Sequence, residues 1–244
     1  MRLVVWNCAG GIRTKWSLIE NLQPDVAIVI ECDQPDRVPN LGFDSSVWMG
    51  RLPHKGLGVF GFGDWKVEEA AFVEPQLEFV LPVQVSGPAE VELYAVWAMN
   101  KRASQHPIDY AGVRQPLAMM DIYRPGANSV IAGDFNNSVF WDTPRTHTFA
   151  DMAARYEQED FVSLYHSTTG EAFGSESAPT HWWRDRREDG KRYHIDYVFT
   201  SEHLASRSTL TVGTFHDSVT VGRSDHAYLV ADIPNASRSA DCPK

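Results

Sequence analysis

Residues 129–137 run Ser-Val-Ile-Ala-Gly-Asp-Phe-Asn-Asn, an apolar stretch that stops abruptly at Asp134 and Asn136. The run reads as a buried strand, and two residues apart in an extended segment these polar side chains share a face. A carboxylate beside an amide suits one pair of tasks: the carboxylate holds a hard cation or orients a water, and the amide donates to a phosphoryl oxygen. Asp and Asn also favour turns for purely local reasons, so the pair acquires chemical meaning only with companions. Gly133, just ahead, admits close approach by a substrate or a neighbouring loop.

Four other segments put oxygen or nitrogen ligands at the ends of apolar runs. They are Asn7 after Leu-Val-Val-Trp, Glu31 after the run at 26–30, Asp196 within His-Ile-Asp-Tyr-Val-Phe, and Asp225-His226 within Gly-Arg-Ser-Asp-His-Ala. In residues 193–200 strand alternation puts Ile195, Tyr197 and Phe199 on one face and His194, Asp196 and Val198 on the other. A charged Asp196 in so apolar a strand is costly to bury without a partner or a metal. Each piece has an ordinary alternative: a salt bridge for Glu31, a capped turn for Asn7, a strand end for Ser224 or Asp225. All of them together at strand exits make a pattern.

The elements that must carry these residues follow from the apolar runs and their breakers. Residues 2–6 read as a strand, residues 14–22 as a helix with Thr14 at its N-cap, and residues 25–30 as a strand buried on both faces. This βαβ-like unit brings Asn7 and Glu31 to the ends of two strands, where sites in sheet proteins lie. Further strands are expected at 45–49, 56–62, 65–72, 77–85 and 91–96, punctuated by Gly, Pro and Asp in the manner of antiparallel hairpins. Helices are expected over 109–123 and around 148–156, and strands at 161–165, 180–184, 193–200, 209–215 and 227–231. Many strands with few helices predict an α/β fold of two packed sheets flanked by helices, and two strand-rich halves suit a pseudo-symmetric sandwich.

At 244 residues and 43% apolar content the chain can bury a large core. No low-complexity seam divides it, so one domain is expected over 1–234, with a polar tail at 235–244. The net charge of -10 excludes a global field that coats nucleic acid; a metal ion and a local basic rim would have to supply any such attraction. Cys8, Cys32 and Cys242 form an odd, widely spaced set, which reads as free thiols in a reducing compartment. No signal-peptide apolar region opens the chain, and no apolar run approaches the roughly 18 residues that span a bilayer. A cytoplasmic protein without a membrane span is expected, with a monomer favoured.

Trp6-Asn7, Ile30-Glu31, Gly133-Asp134-Phe135-Asn136, Ile195-Asp196-Tyr197 and Ser224-Asp225-His226, in this order, resemble the endonuclease/exonuclease/phosphatase superfamily. Its members include apurinic/apyrimidinic endonucleases, pancreatic-type deoxyribonucleases, sphingomyelinases and inositol-polyphosphate phosphatases. The motifs run from residue 6 to residue 226, nearly the whole chain. The resemblance implies a four-layer α/β/β/α sandwich of two mixed sheets with the site at one edge of both, and metal-assisted cleavage of a phosphate ester. It implies Glu31 as principal metal ligand with Asn7 beside it, Asp134 orienting the attacking water, and Asn136 holding a phosphoryl oxygen. It further implies His226 against the scissile phosphate, Asp196 fixing the tautomer and tilt of that histidine, Asp225 as a metal-side carboxylate, and Ser224 bracing the loop. Oxygen-rich ligation without a Cys/His cluster argues for Mg2+ or Mn2+ rather than Zn2+. Either Asp134 or His226 can be written as the general base.

The chain departs from the family at one place. After the strand at 91–96 the family usually has Tyr or His reaching the phosphate, and here Trp97 stands there, with one N–H donor and no acid–base capacity. Trp97 could donate that bond or stack on the substrate, Tyr110 could reach in as a substitute, and Asn100 matches the family's frequent Asn. For the rim, His181-Trp182-Trp183-Arg184-Asp185-Arg186-Arg187 and Val139-Phe140-Trp141 place aromatics beside arginines. Trp141, Trp183 and Arg184 suit stacking with phosphate contacts. The ordinary alternative packs a tryptophan under a hairpin and pairs Arg186 and Arg187 with Glu188 and Asp189. Arg13, Lys15, His54 and Lys55 are either backbone-phosphate contacts or solvated surface charge. The expected activity is hydrolysis of DNA by an endonuclease or exonuclease. The alternatives are a phosphatase or phosphodiesterase acting on a small or lipid-linked phosphate and, last, an inactive binding module.

Overall fold

The structure is a computed structural model and describes residues 1–38, 41–71, 77–78, 80–99, 112–143, 148–184 and 186–234. The first stretch of chain forms β1 (Arg2–Asn7), α1 (Trp16–Asn21), β2 (Val26–Cys32), β3 (Ser45–Leu52) and β4 (Lys55–Gly61). There follow β5 (Lys66–Glu69), β6 (Val80–Ser86), β7 (Val91–Trp97), α2 (Arg114–Ile122), β8 (Ser129–Asp134) and α3 (Phe149–Gln158). The last part holds β9 (Phe161–Ser163), α4 (Leu164–Thr169), β10 (His181–Trp182), β11 (Arg192–Tyr193), β12 (Asp196–Ser201), α5 (Glu202–Ala205), β13 (Thr209–Val212) and β14 (Leu229–Asp232).

Strands that are apolar at every position need cover on both faces. In β1 and β2, Leu3, Val5, Val26, Ile28 and Ile30 join the core between the sheets, whereas Val4, Trp6, Ala27 and Val29 pack outward with Trp16 and Ile19 of α1. The same alternation recurs in β7 and β8: Leu93, Ala95, Val130 and Ala132 face inward, and Tyr94, Val96 and Ile131 face Met119 of α2 and Met152 of α3. The result is the expected α/β/β/α layering. One six-stranded sheet has the order β13-β14-β1-β2-β4-β3 and the other β5-β6-β7-β8-β12-β9. Both are mixed, with β1 parallel to β2 and β7 parallel to β8, the other neighbours being antiparallel.

Several boundaries differ from the sequence expectation for local reasons. Thr14 does not cap α1: a 3-10 turn at Ile12–Thr14 intervenes after Gly10 and Gly11, both at positive φ, and the Thr14 hydroxyl donates back to Gly11 O at 3.2 Å. The strand expected over 161–165 stops at Ser163 because Leu164 opens α4. That expected over 65–72 is confined to β5, and the segment at 180–184 contributes only β10, paired with β11 in a two-stranded ribbon. Residues 109–111 of the expected helix and the tail at 235–244 lie outside the described residues.

Candidate active site

Four strand exits meet at one edge of the sandwich. Asp134 ends β8, and in the ladder it stands opposite Asp196, the first residue of β12, and beside Trp97, the last of β7. Gly133 holds this corner tight. Its φ is 150°, and a Cβ there would lie 1.9 Å from the carbonyl oxygen of Val96, so the neighbour that needs the glycine is strand β7 itself. Past the strand end, Asn136 takes a left-handed φ of 47° and its backbone N–H donates to Asp134 Oδ1 at 2.8 Å, an Asx turn that folds the Asn side chain back toward the carboxylate. Asn136 Nδ2 then donates to Asp134 Oδ2 at 2.9 Å, and Asn7 Nδ2, from the exit of β1 in the other sheet, donates to the same oxygen at 3.0 Å. Asp134 is wholly buried and accepts from all three donors.

His226 reaches this carboxylate from the first sheet, just ahead of β14. The Ser224 hydroxyl donates to Asn7 O at 2.6 Å and accepts the His226 backbone N–H at 3.0 Å, and Trp6 Nε1 donates to His226 O at 3.1 Å. These bonds fasten the histidine loop to β1, as the bracing role expected for Ser224 requires. His226 Nδ1 faces both oxygens of Asp196, at 2.9 and 3.2 Å, which leaves Nε2 turned to Asp134 Oδ2 at 4.0 Å. Asp196 is pinned in turn, since the Thr180 hydroxyl accepts the backbone N–H groups of both Ile195 and Asp196.

The charges in this group depend on one another. Burial and the adjacent Asp196 push the Asp134 carboxyl up to about 7, against the pull of His226, Asn7 and Asn136 toward the ionised form. Burial by itself would lower His226, but the carboxylates of Asp196, Asp134 and Asp225 outweigh it and raise the imidazole to about 10. His226 is therefore a cation at neutral pH. His181 packs its ring 4.6 Å from that of His226, and burial together with the charge on His226 pushes it down to about 4, so it stays neutral.

Glu31 lies at the matching exit of β2, one residue past Ile30, which is the ladder partner of Asn7. A bulge between Ile30 and Cys32 gives Glu31 a left-handed φ of 60° and re-aims its side chain out of the ladder. The carboxylate meets Lys55 Nζ at 2.9 Å. Asp225 faces Arg186 at 3.5 Å and His181 at 4.0 Å, toward the rim. Asp134, Asp196 and His226 are the group whose ligand atoms all lie within 4.8 Å of one another. That group is paired internally, the imidazole against Asp196 and the amides of Asn7 and Asn136 against Asp134, while Glu31 is paired with Lys55 and the Asn7 amide oxygen accepts the Ala9 backbone N–H at 3.0 Å; Glu31 and Asn7 offer hard oxygens that fit a divalent cation. An oxygen set this small suits Mg2+ or Mn2+, which keep several waters and take further oxygens from a phosphate ester.

Of the rim residues, Trp97 is 7% exposed, joins the inter-sheet core and has the Lys55 ammonium 5.8 Å from its ring centre, which leaves little of the ring for a substrate. Trp183 is 40% exposed, with the Arg184 guanidinium 5.4 Å from its ring centre. A file of rings leads from the histidines to the surface: His181 to Trp183 at 5.9 Å, Trp183 to Tyr193 at 6.4 Å, and Tyr193 to Trp141 at 4.7 Å. Asn100 and Tyr110 lie outside the described residues. Sequence reasoning named His181 within the rim run and Lys55 as a backbone-phosphate contact or solvated charge; it passed over Thr180 and the pairings of Lys55 with Glu31 and of His181 with His226. The available signal for His181 was its place in a polar-aromatic run upstream of the Asp196 strand.

Solved structures with similar folds include the 3'-5' exonuclease NExo from Neisseria meningitidis, at 19% identity over 96% of this chain and 99% of that one, with a TM-score of 0.68. An AP endonuclease from Archaeoglobus fulgidus is 16% identical over 96% of this chain and 99% of that one, at a TM-score of 0.67. An endonuclease/exonuclease/phosphatase from Beutenbergia cavernae is 19% identical over 96% of this chain and 71% of that one, at 0.63. No protein-family model matches the chain, and no curated protein matches it in sequence. The resemblance read from the motifs thus holds in the architecture that carries them: the chain has the α/β sandwich fold of the endonuclease/exonuclease/phosphatase proteins.

Proposed function

We propose that this protein is a divalent-metal-dependent phosphoesterase that cleaves phosphodiester bonds in DNA. The observation that carries the reading is the convergence of Asn7, Asp134, Asn136, Asp196 and His226, from both sheets, into one hydrogen-bonded group at the sandwich edge. Hydrolysis of a phosphodiester needs an aligned water, a proton acceptor for it, and donors where negative charge gathers. Asp134, fixed by three N–H donors, aligns the water and takes its proton, because His226 already holds one. His226 Nε2 donates to the phosphoryl oxygens, with Asp196 keeping the ring protonated and oriented. Asn136 adds an amide donor to the same phosphate. Glu31 and Asn7 would hold Mg2+ or Mn2+, with Asp225 as a further carboxylate, and the ion would supply positive charge against the phosphoryl oxygens.

The ring file from His181 to Trp141, with Arg184 on Trp183, favours a nucleic acid as substrate, since bases and sugars stack on such surfaces while arginine meets the phosphates. NExo from Neisseria is described both as a 3'-5' exonuclease and as a 3' phosphatase, the latter bound to a product DNA hairpin. A second reading, a phosphatase or phosphodiesterase for a small or lipid-linked phosphate, is favoured by the net charge of -10. Two free buried thiols, Cys8 and Cys32, suit a reducing cytoplasm, and we take 1–234 as one domain acting as a monomer. No described helix is long and apolar enough to cross a membrane.

The test is a panel with Mg2+ or Mn2+ against single-stranded, duplex and abasic-site DNA and a soluble phosphate ester, run beside His226→Ala. Cleavage of any DNA that disappears in the variant supports the nuclease. Intact DNA with a hydrolysed small ester selects the second reading, and no hydrolysis of either rejects both.

A further inference from the structure

The carboxylate assigned above to the metal already has a cationic partner from the chain itself. Lys55 opens β4 directly after the hairpin turn from β3, and its Nζ lies 2.9 Å from Glu31 Oε2. The ammonium also stands 5.8 Å from the centre of the Trp97 ring, the residue at the exit of β7, so an aromatic face helps hold it over the site edge. The bulge supplies the other half of the contact: with Cys32 paired to Gly56 and Glu31 pushed out of the ladder, the carboxylate is turned toward the start of β4. Both side chains keep partial contact with solvent, 43% for Lys55 and 23% for Glu31. The pair can therefore open without unfolding anything. A primary ammonium and a hydrated divalent cation compete for the same carboxylate oxygens, since each is a compact, hard positive charge.

We propose that Lys55 is a tethered competitor for the metal-binding carboxylate Glu31: it neutralises Glu31 in the metal-free protein, is displaced on metal entry, and so sets the metal affinity below what Glu31 alone would give. The proposal rests on the reading of Glu31 as a metal ligand. Lys55 acts on the metal through Glu31, as a positioning residue, and has no part in bond breaking.

The test measures Mn2+ binding directly, by the electron paramagnetic resonance signal of free Mn2+, in wild type, Lys55→Met, Lys55→Arg, Glu31→Gln and the double variant Lys55→Met/Glu31→Gln. Met keeps the alkyl stem over Trp97 and removes the charge. Lys55→Met is expected to tighten Mn2+ binding about two- to fivefold, the range of a part-exposed ion pair. Lys55→Arg should stay close to wild type. Glu31→Gln should weaken binding, and in that background Lys55→Met should have no further effect. Unchanged or weaker binding in Lys55→Met, with Glu31→Gln weakened, overturns the tethered-competitor proposal and leaves the metal assignment standing. Equal tightening in both backgrounds overturns it too, as a general effect of lost positive charge. Wild-type affinity in Glu31→Gln removes the metal assignment itself, and the proposal with it.

Discussion

The two sheets repeat one plan and use it for two purposes. Each contains a parallel pair, β1 with β2 and β7 with β8, continued by two antiparallel strands, β4 and β3 in one sheet and β12 and β9 in the other. At the exit of the second strand of each pair stands a carboxylate, Glu31 after Ile30 and Asp134 after Gly133. At the exit of the first stand Asn7 and Trp97. The environments then diverge. Asp134 is buried, held by three N–H donors and faced by an imidazolium, whereas Glu31 is turned outward by a bulge to meet a half-exposed lysine. Burial tunes an acid for moving protons, and a solvated edge lets a carboxylate exchange one cation for another. On the function proposed above, the two strand exits give a proton-handling group in one sheet and a cation-holding group in the other.

The largest effects should come from exchanging these roles. Asp134→Ala is expected to lower DNA hydrolysis about 10³- to 10⁴-fold in kcat, with no recovery as Mn2+ is raised, because the acceptor for the water's proton is gone. Glu31→Gln should lose activity at low Mn2+ and regain much of it at high Mn2+. Single-turnover rates across a metal titration decide the matter. Recovery of Asp134→Ala by metal, or a Glu31→Gln defect independent of metal, would break the division of labour between the two corners.

The corners also differ in how tightly they are built. Adding a methyl at Gly133 forces a Cβ to within 1.9 Å of Val96 O at a φ of 150°, so Gly133→Ala is expected to cost about 3 kcal/mol in urea unfolding, from overpacking and backbone strain together. The residue that precedes the carboxylate in the other sheet, Ile30, is a well-packed core residue, and Ile30→Val should cost only about 1 kcal/mol. Similar costs at the two sites would mean that the Asp134 corner is no more constrained than its counterpart.

What could be read from the sequence, and what could not, divides along a physical line. Asn7, Asp134 and Asn136 were legible because a long apolar run halted by a polar residue is a strand exit, and strand exits of packed sheets share an edge; Asp196, which opens β12, was legible as a charge too costly to leave unpartnered in an apolar strand. His226 was legible as a motif, though its reach across to Asp196 depends on the bonds of Ser224 and Trp6. Lys55 was not. Its contact needs the pairing of Cys32 with Gly56 and the one-residue irregularity at Glu31, and no periodicity announces a bulge. The partner of Arg187 is Asp189, as local spacing allowed, while Arg186 turns instead to Asp225, some forty residues away in the chain. Likewise the strand expected over 180–184 shrinks to β10, His181 and Trp182, and the bridge to His226 that positions it has no local pattern to announce it.

The smallest expected effect concerns pH and isolates a histidine of the second sheet that stands outside the chemistry. His194 is buried just ahead of β12, its Nδ1 donates to Ala178 O at 2.8 Å, and its Nε2 has no partner. A second proton would sit on that unpartnered nitrogen, so burial lowers its affinity for protons below that of the unfolded chain, despite the help of Ala178 and Glu176. A histidine whose folded value is depressed contributes stability that is complete above its unfolded value of about 6.5 and is lost as pH falls below it. Asp134 and His226 are raised and bring the opposite slope, losing stability as pH rises toward about 7 and about 10 respectively. Those slopes are common to wild type and to His194→Gln, so the difference between their melting temperatures cancels them. That difference should be constant above pH 7 and should shrink steadily between pH 6.5 and 5, as wild type alone loses the contribution of a neutral buried ring. A flat difference across the whole range would mean that His194 gives up its preference for neutrality, and that the donor to Ala178 is replaceable by any amide.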